Sequence, residues 1–143
     1  MDFLTSLNIS GSGLTVQRKI MNTISENLAN SETTRTSSGS PYRRKIPVIE
    51  QAPATDLSSS FSEESEAEQG VRVSDIVEDN TPLKVVHNPG HPDADEEGSV
   101  LMPNVDTVVE MTNMLMAKRA YESNIAAINT LKGMAIKALE IGK

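Results

Sequence analysis

Residues 104–142 read NVDTVVEMTNMLMAKRAYESNIAAINTLKGMAIKALEIG, and the spacing of their apolar groups decides the fold. Met111, Met114, Lys118, Tyr121, Ile125, Ile128, Lys132, Ala135 and Leu139 follow one another in strict steps of three and four, the recurrence of one face of an α-helix. A second row, Leu131, Met134, Ala138 and Ile141, lies beside it. Pro103 stops the preceding segment, and Asn104 is a residue type that caps helix N-termini. Asp106 falls in the first turn, where the helix dipole favours an acid, and Gly142 stands where a helix commonly ends. About 38 helical residues span roughly 57 Å, more than a small single domain needs. Residues 104–143 are therefore expected to form a C-terminal helical segment.

The partner for this helix is expected at the other end of the chain. Over residues 4–28, Leu4, Leu7, Gly11, Leu14, Arg18, Met21, Ser25 and Leu28 keep the same three-four rhythm. Within that row the every-seventh set Leu7, Leu14, Met21 and Leu28 is wholly apolar. A second row beside it runs Ile9, Gly13, Val16, Ile20, Thr23, Asn27 and Asn30. Two adjacent rows make a face wider than a two-stranded coiled-coil seam. Gly11 and Gly13 each cost a helix about 1 kcal/mol, which is tolerable where they admit a close neighbour. The expected fold is mainly α with a small β-rich part. Long N- and C-terminal helices pair antiparallel as a coiled-coil-like bundle, joined by an irregular, β-containing middle. The organisation expected is 1–30 as an N-terminal assembly helix, 31–103 as the middle and 104–143 as a C-terminal assembly helix.

In the middle, SETTRTSSGSP (31–41) is loop chemistry. YRRKIPVIE (42–50) reads as a strand that Pro47 confines to a sheet edge. GVRVSDIVED (70–79) reads as a second strand, and PLKVVHNPGHP (82–92) as a short strand closed by a turn. Residues 52–69 are rich in Ser and Glu, with Leu57 and Phe61 as the only large apolar side chains, and are expected to be a mobile acidic insertion.

Composition narrows the function. The chain has 143 residues, no Cys, no Trp and 3% aromatics, so thiolate metal sites, disulfides and thiol nucleophiles are excluded. Net charge is −7, the wrong sign for nucleic acid. By segment, residues 1–30 are neutral, 31–55 carry +2, 56–97 carry −10 and 104–143 carry +1. Nearly neutral, apolar-patterned ends can approach copies of themselves, while an acidic middle suits solvent. No apolar run approaches the roughly 20 residues of a membrane span, and the N-terminus lacks the basic and apolar regions of a cleaved leader.

Few constellations suggest chemistry. His87, His91, Asp93 and Asp95 could be metal donors, but Pro89, Gly90 and Pro92 keep the histidines off a common helical face. DADEEG (93–98) begins like a calcium loop, yet the twelfth position is Asn104, not Glu. A rigid turn with its acids in water is the better reading. A metal- or peptide-binding module built on residues 87–98 stands as the alternative. Arg43, Arg44 and Lys45 form a short basic cluster, expected at a solvated edge or against an acidic neighbour. Met111, Met114 and Met116 point to packing, on a side chain suited to repacking against non-identical neighbours. Nucleophile elbows and phosphate-binding glycine loops are lacking, so no enzyme and no cofactor is expected.

Three segments carry a family resemblance. SLNISGSGLTVQRKIMNTISENLANSETTR (6–35) resembles the N-terminal segment of the flagellar rod and hook axial proteins through Gly13, Leu14, Thr15, Gln17, Asn27, Ala29, Asn30, Thr33 and Thr34. NPGHPDADEEGSVLMPNVD (88–106) and EMTNMLMAKRAYESNIAAINTLKGMAIKALEIG (110–142) resemble the proximal rod members of that family in particular, with another rod protein of the family as the runner-up. Val16 stands where a small Ala is usual, and 52–69 is poorly matched.

The resemblance implies a structural subunit that stacks helically into a rod carrying torque through the periplasm. Its terminal helices would line the inner tube. It implies export by the flagellar type III system without a cleaved leader. The partners would be the chain itself, other rod proteins and neighbouring basal-body or export-gate components. Asn27 and Asn30 would close the first helix, satisfying terminal carbonyls or a neighbour's backbone. Leu7, Leu14, Met21, Leu28, Met111, Met114, Tyr121, Ile125, Ile128 and Leu139 are the packing residues expected, with Lys118 and Arg119 pairing with acids across subunits. Because the apolar faces ask for more neighbours than one chain supplies, the ends are expected to be poorly ordered in the monomer and to fold on assembly.

Overall fold

The computed structural model describes residues 3–52 and 70–142. Along the chain, α1 (Phe3–Ala29) is followed by β1 (Lys45–Ala52), β2 (Gly70–Glu78), β3 (Lys84–His87), β4 (Ser99–Met102) and α2 (Thr107–Ile141). The insertion expected at 52–69 lies outside the described residues, except for Ala52, which ends β1.

At 27 and 35 residues, α1 and α2 run for about 40 and 52 Å. They pack antiparallel. Near the start of α1, a Cβ on Gly13 would lie 2.8 Å from the Asn124 amide nitrogen. Fourteen residues further along α1, Asn27 bonds Glu110, fourteen residues earlier on α2. The register is thus held over two heptads, as in a coiled coil. It brings Phe3 level with Met134, so the last turns of α2 continue past the described part of α1. The intrachain seam uses the second of the two α1 rows. Val16, Thr23 and Asn27 are buried, whereas Leu7, Leu14, Met21 and Leu28 stay half-buried. Val16 is buried in this seam at 3% exposure. Gly13 admits α2 closely, while a Cβ on Gly11 would meet nothing within 4 Å.

The middle is two antiparallel ribbons, β1 with β2 and β3 with β4. Pro47 faces Ile76 in the first ribbon, where each strand has an open edge and a missing N–H breaks no ladder. The register shifts between Val48 and Ile49, leaving Ser74 as the extra residue of a β-bulge. Its hydroxyl donates to the Val48 carbonyl at 3.3 Å. The first ribbon also touches α1, where the Ser12 hydroxyl accepts from the Val71 N–H at 3.2 Å. β4 has no counterpart in the sequence pattern. Four residues, SVLM, are too few for a periodicity, and only pairing with β3 makes them a strand.

The start of α2 also differs from expectation. Asp106, not Asn104, is the N-cap, and its carboxylate accepts from the N–H groups of Val108 and Val109 at 2.9 and 3.2 Å. Those two bonds hold its carboxyl below the ordinary aspartate value. Asn104 is drawn away because its amide serves other segments. Gly142 closes α2 with a negative φ of −84°, its N–H donating to the Ala138 carbonyl at 3.3 Å. That arrangement does not use glycine's left-handed freedom.

The two helix glycines therefore separate in their response to substitution. Gly11→Ala should raise stability by about 0.5–1 kcal/mol through helix propensity. Gly13→Ala should gain less, because Asn124 must move. Urea denaturation of the two single variants should show the lower midpoint for Gly13→Ala.

Candidate assembly surface and the hub that orients it

Four chain segments converge where α1 ends and α2 begins. At the centre is Asn27, 1% exposed. Its Nδ2 donates to the Lys45 carbonyl at 2.9 Å and to Glu110 Oε2 at 3.0 Å. Its Oδ1 accepts from the Tyr42 hydroxyl and from the Lys45 N–H, each at 2.9 Å. All four hydrogen-bonding positions of the amide are used. The requirement is specific: Gln would carry its amide one methylene too far, and Asp would lose both donors.

Glu110 is also 1% exposed and lies one turn into α2. Arg44 reaches its Oε1 with Nε and Nη2, both at 2.8 Å. The remaining Arg44 nitrogen faces Asp79 Oδ2 at 3.5 Å. A buried carboxylate needs a cation and donors, and here it has a guanidinium on one oxygen and an amide on the other. Asn104 closes the ring. Its Oδ1 accepts from the Arg44 N–H at 2.8 Å. Its Nδ2 donates to the Asp79 carbonyl at 3.0 Å and to the Thr81 hydroxyl at 2.9 Å. The Thr81 backbone N–H, then the Thr81 hydroxyl and Arg44, hold the Asp79 carboxyl below its ordinary value against the opposing effect of burial. Lys45 pairs with Glu26 and lies 5.8 Å from the centre of the Tyr42 ring. Lys84 donates to the Val105 carbonyl at 2.7 Å, fastening β3 to the approach to α2.

Of the residues expected to pack, Asn27 alone joins this hub. Asn30 caps the end of α1, donating to the Glu26 carbonyl at 2.9 Å and accepting from the Thr33 hydroxyl at 3.2 Å. Met114, Tyr121 and Ile128 are half-buried, like the leucine row of α1. Met111, Ile125 and Leu139 face solvent, Leu139 at 74% exposure. Val108 and Leu115 share the exposed row of Met111, and Met134 and Ile136 stand out near the end of α2. Lys118 pairs with Glu122 on its own helix at 3.8 Å.

Beside the seam, between α1, β1 and α2, an open cleft of about 420 Å³ is lined by Ile20, Ile24, Ile46, Met116 and Ala120, with the hub at one end. The arrangement offers apolar surface and saturated polar groups. At the hub end of the cleft the Glu110 carboxylate is bound by Arg44 and Asn27.

The acids of the turn after β3 are engaged within the turn and by the segment behind α1. Asp95 Oδ1 accepts from the N–H groups of Glu97 and Ser99 at 3.0 and 2.7 Å. Asp93 Oδ2 accepts from the Thr34 hydroxyl at 2.8 Å, and His91 Nδ1 accepts from the Asp93 N–H at 3.1 Å. Gly98 closes the turn at a φ of +75°, where a Cβ would also meet the His87 ring and Pro89 at 3.0 Å. Among the described residues no three His, Asp or Glu side chains come together as a metal site.

The hub residues Tyr42, Arg44, Asp79, Asn104 and Glu110 do not stand out as a site in the sequence. One signal is present: an acid, Glu110, inside the apolar run VVEMTNMLM, with a basic cluster elsewhere to answer it.

Two family models match the chain: flagella basal body rod protein over residues 7–35, and flagellar basal body rod FlgEFG protein C-terminal over residues 96–141. The chain is similar to the flagellar basal-body rod protein FlgC of Bacillus subtilis (strain 168), with 44% identity over 96% of this chain and 97% of that one. It is 40% identical to FlgC of Borreliella burgdorferi over 99% of this chain and 98% of the relative. It is 39% identical to FlgC of Salmonella typhimurium over the whole of both.

Two tests follow from the hub. Arg44→Met leaves Glu110 buried and unpaired and should cost about 3–5 kcal/mol, of which the double variant with Glu110→Met should recover most. Urea denaturation of the four-member cycle measures this. The second test is alkaline. Burial first, then Glu26, Glu110 and Glu78, push the Tyr42 phenol from its ordinary 10.0 up to about 12. The folded state thus favours the protonated phenol. That contribution to stability is complete below pH 10 and lost as pH rises through about 12. Tyr42→Phe should remove this alkaline limb, seen as a smaller loss of stability between about pH 9 and 12 than the parent shows.

Proposed function

The chain belongs to the FlgC family of flagellar basal-body rod proteins and is a structural subunit of that rod, and from this premise we propose that it builds the proximal part through its two terminal helices. Copies of this chain and of other rod proteins stack helically. The exposed row on α2 and the half-buried leucine row on α1 meet equivalent faces of neighbours. A head-to-tail contact that does not close on itself gives a helical filament, and such a filament transmits torque across the periplasm while enclosing an export channel. The chain reaches that place through the flagellar type III system, and it touches export-gate components at the base. No reaction, cofactor or nucleic acid is assigned to it. Residues 1–30 and 104–143 serve as the assembly segments and 31–103 as the outward part.

The observation that carries this reading is the row Val108, Met111 and Leu115, open to solvent at 74, 59 and 48% on one side of α2. Exposed apolar surface of that kind marks a contact with another molecule. The packing residues of α1 and α2 named above are the proposed contact points, together with Asn30, while Asn27, buried in the hub, fixes the end of α1 from within the chain.

The test combines deletion with surface variants. Deletion of the corresponding gene should abolish rods, hooks and motility, and the intact chain should restore them. Met111→Glu and Leu139→Glu should leave the stability of the isolated chain to urea within about 0.5 kcal/mol, yet fail to restore rods in electron micrographs of basal bodies. Normal rods after a clean deletion, or full rescue by both variants, would overturn the proposal.

A further inference from the structure

Among the described residues, the side-chain bonds that hold the turn over residues 88–98 to the segment behind α1 run through the Asp93 carboxylate. Asp93 Oδ2 accepts from the Thr34 hydroxyl at 2.8 Å, and Asp93 Oδ1 faces Arg35 at 3.8 Å. The position of that carboxylate depends on its own backbone, whose N–H donates to His91 Nδ1 at 3.1 Å. His91 acts here as the acceptor of an Asx-like turn, which requires a neutral ring with its proton on Nε2. The charged groups placed around His91 are the Asp93 carboxylate in the same turn, 4.0 Å from Nδ1, and Arg35 across the joint, which reaches that same carboxylate.

We infer that His91 is a proton-operated release for the joint between the 88–98 turn and the segment behind α1. Protonation puts a hydrogen on Nδ1 and removes the lone pair that the Asp93 N–H uses. Two N–H groups then oppose each other at the distance of the former bond. The nearest acceptor for the new donor is Asp93 Oδ2, the oxygen that holds Thr34. Closing the 4.0 Å gap rotates the carboxylate toward the imidazolium and away from the hydroxyl. A bond across the joint is exchanged for an ion pair within the turn. The joint is therefore tighter with the ring neutral and looser with it protonated. The rest of the turn does not depend on the ring, since Asp95 holds the Glu97 and Ser99 N–H groups through its own carboxylate.

Amide exchange and chemical shifts of the isotopically labelled full chain between about pH 5 and 8 test the inference. After correction for intrinsic exchange, the Asp93 amide should lose protection at least about tenfold on the acid side of the His91 ring titration, while the Ser99 amide in the same turn keeps its protection. The Thr34 resonances should shift with the same midpoint as the His91 ring. His91→Asn supplies an oxygen acceptor that does not titrate. That variant should keep Asp93 protected and Thr34 unshifted throughout. Asp93 protection independent of the ring titration would overturn the inference. So would a Thr34 response that survives in His91→Asn.

Discussion

The buried bond between Asn27 and Glu110 is the constraint on which the other elements depend. It joins residues 83 positions apart, where both helices, the first strand and the loop before α2 come within reach of each other. Neither group could be buried alone. Glu110 would be a charge without a partner and Asn27 an amide with four unmet bonds, and each such loss is larger than the net gain of a typical hydrogen bond. The two therefore exclude every arrangement in which Arg44, Tyr42 and Lys45 are not delivered to the same point. A seam of Ile, Val and Ala could slide by a heptad with little loss. A seam ending in an amide, a carboxylate and a guanidinium cannot.

That constraint also explains where the polar residues at the start of α2 go. Asn104 has the chemistry of an N-cap, yet it lies two residues before the cap because its amide bridges Arg44, Asp79 and Thr81. Asp106 then caps the helix, and being an acid it serves the dipole as well. Removal of Asn104 to the hub costs the helix nothing, and Asp79, which reverses the chain after β2, is tied to the start of α2 by the same amide. The ribbon and the second helix are one unit because a side chain that could have ended a helix was used as a bridge.

The sequence disclosed the helices and the strand pair better than it disclosed what joins them. Three-four spacing over 25 and 38 residues is a long signal, and both helices appear within a few residues of their expected bounds. Which face pairs within the chain was less accessible. The every-seventh row of Leu7, Leu14, Met21 and Leu28 is the more hydrophobic, but the intrachain seam runs along Gly13, Val16, Ile20, Thr23 and Asn27. Hydrophobicity ranks faces by the cost of exposure. The seam was selected by small size at Gly13 and by polar complementarity at Asn27, and neither raises an apolar count. The hub was hidden for a related reason. Arg44, Asp79 and Glu110 lie in three separate parts of the chain, and a single chain read in order has no term linking a base in one to an acid in another.

The location of the hub at one end of a long pair has a mechanical consequence. Close contacts fix the pair at Asn27–Glu110 and, four turns away, at Gly13–Asn124. Beyond the second contact α2 continues for about 18 residues, carrying Met134, Ile136 and Leu139 largely in solvent. Helix formation alone stabilises such a stretch weakly, since most helical stability in proteins comes from an apolar face being covered. The register of the pair is therefore set at the hub, and the far end gains most from a neighbour. In the proposed rod, a neighbour covering Leu139 would stabilise a helix whose direction the hub has already fixed. The entropy of orienting that helix is then met within the chain, and the contact between subunits needs only to complete its order.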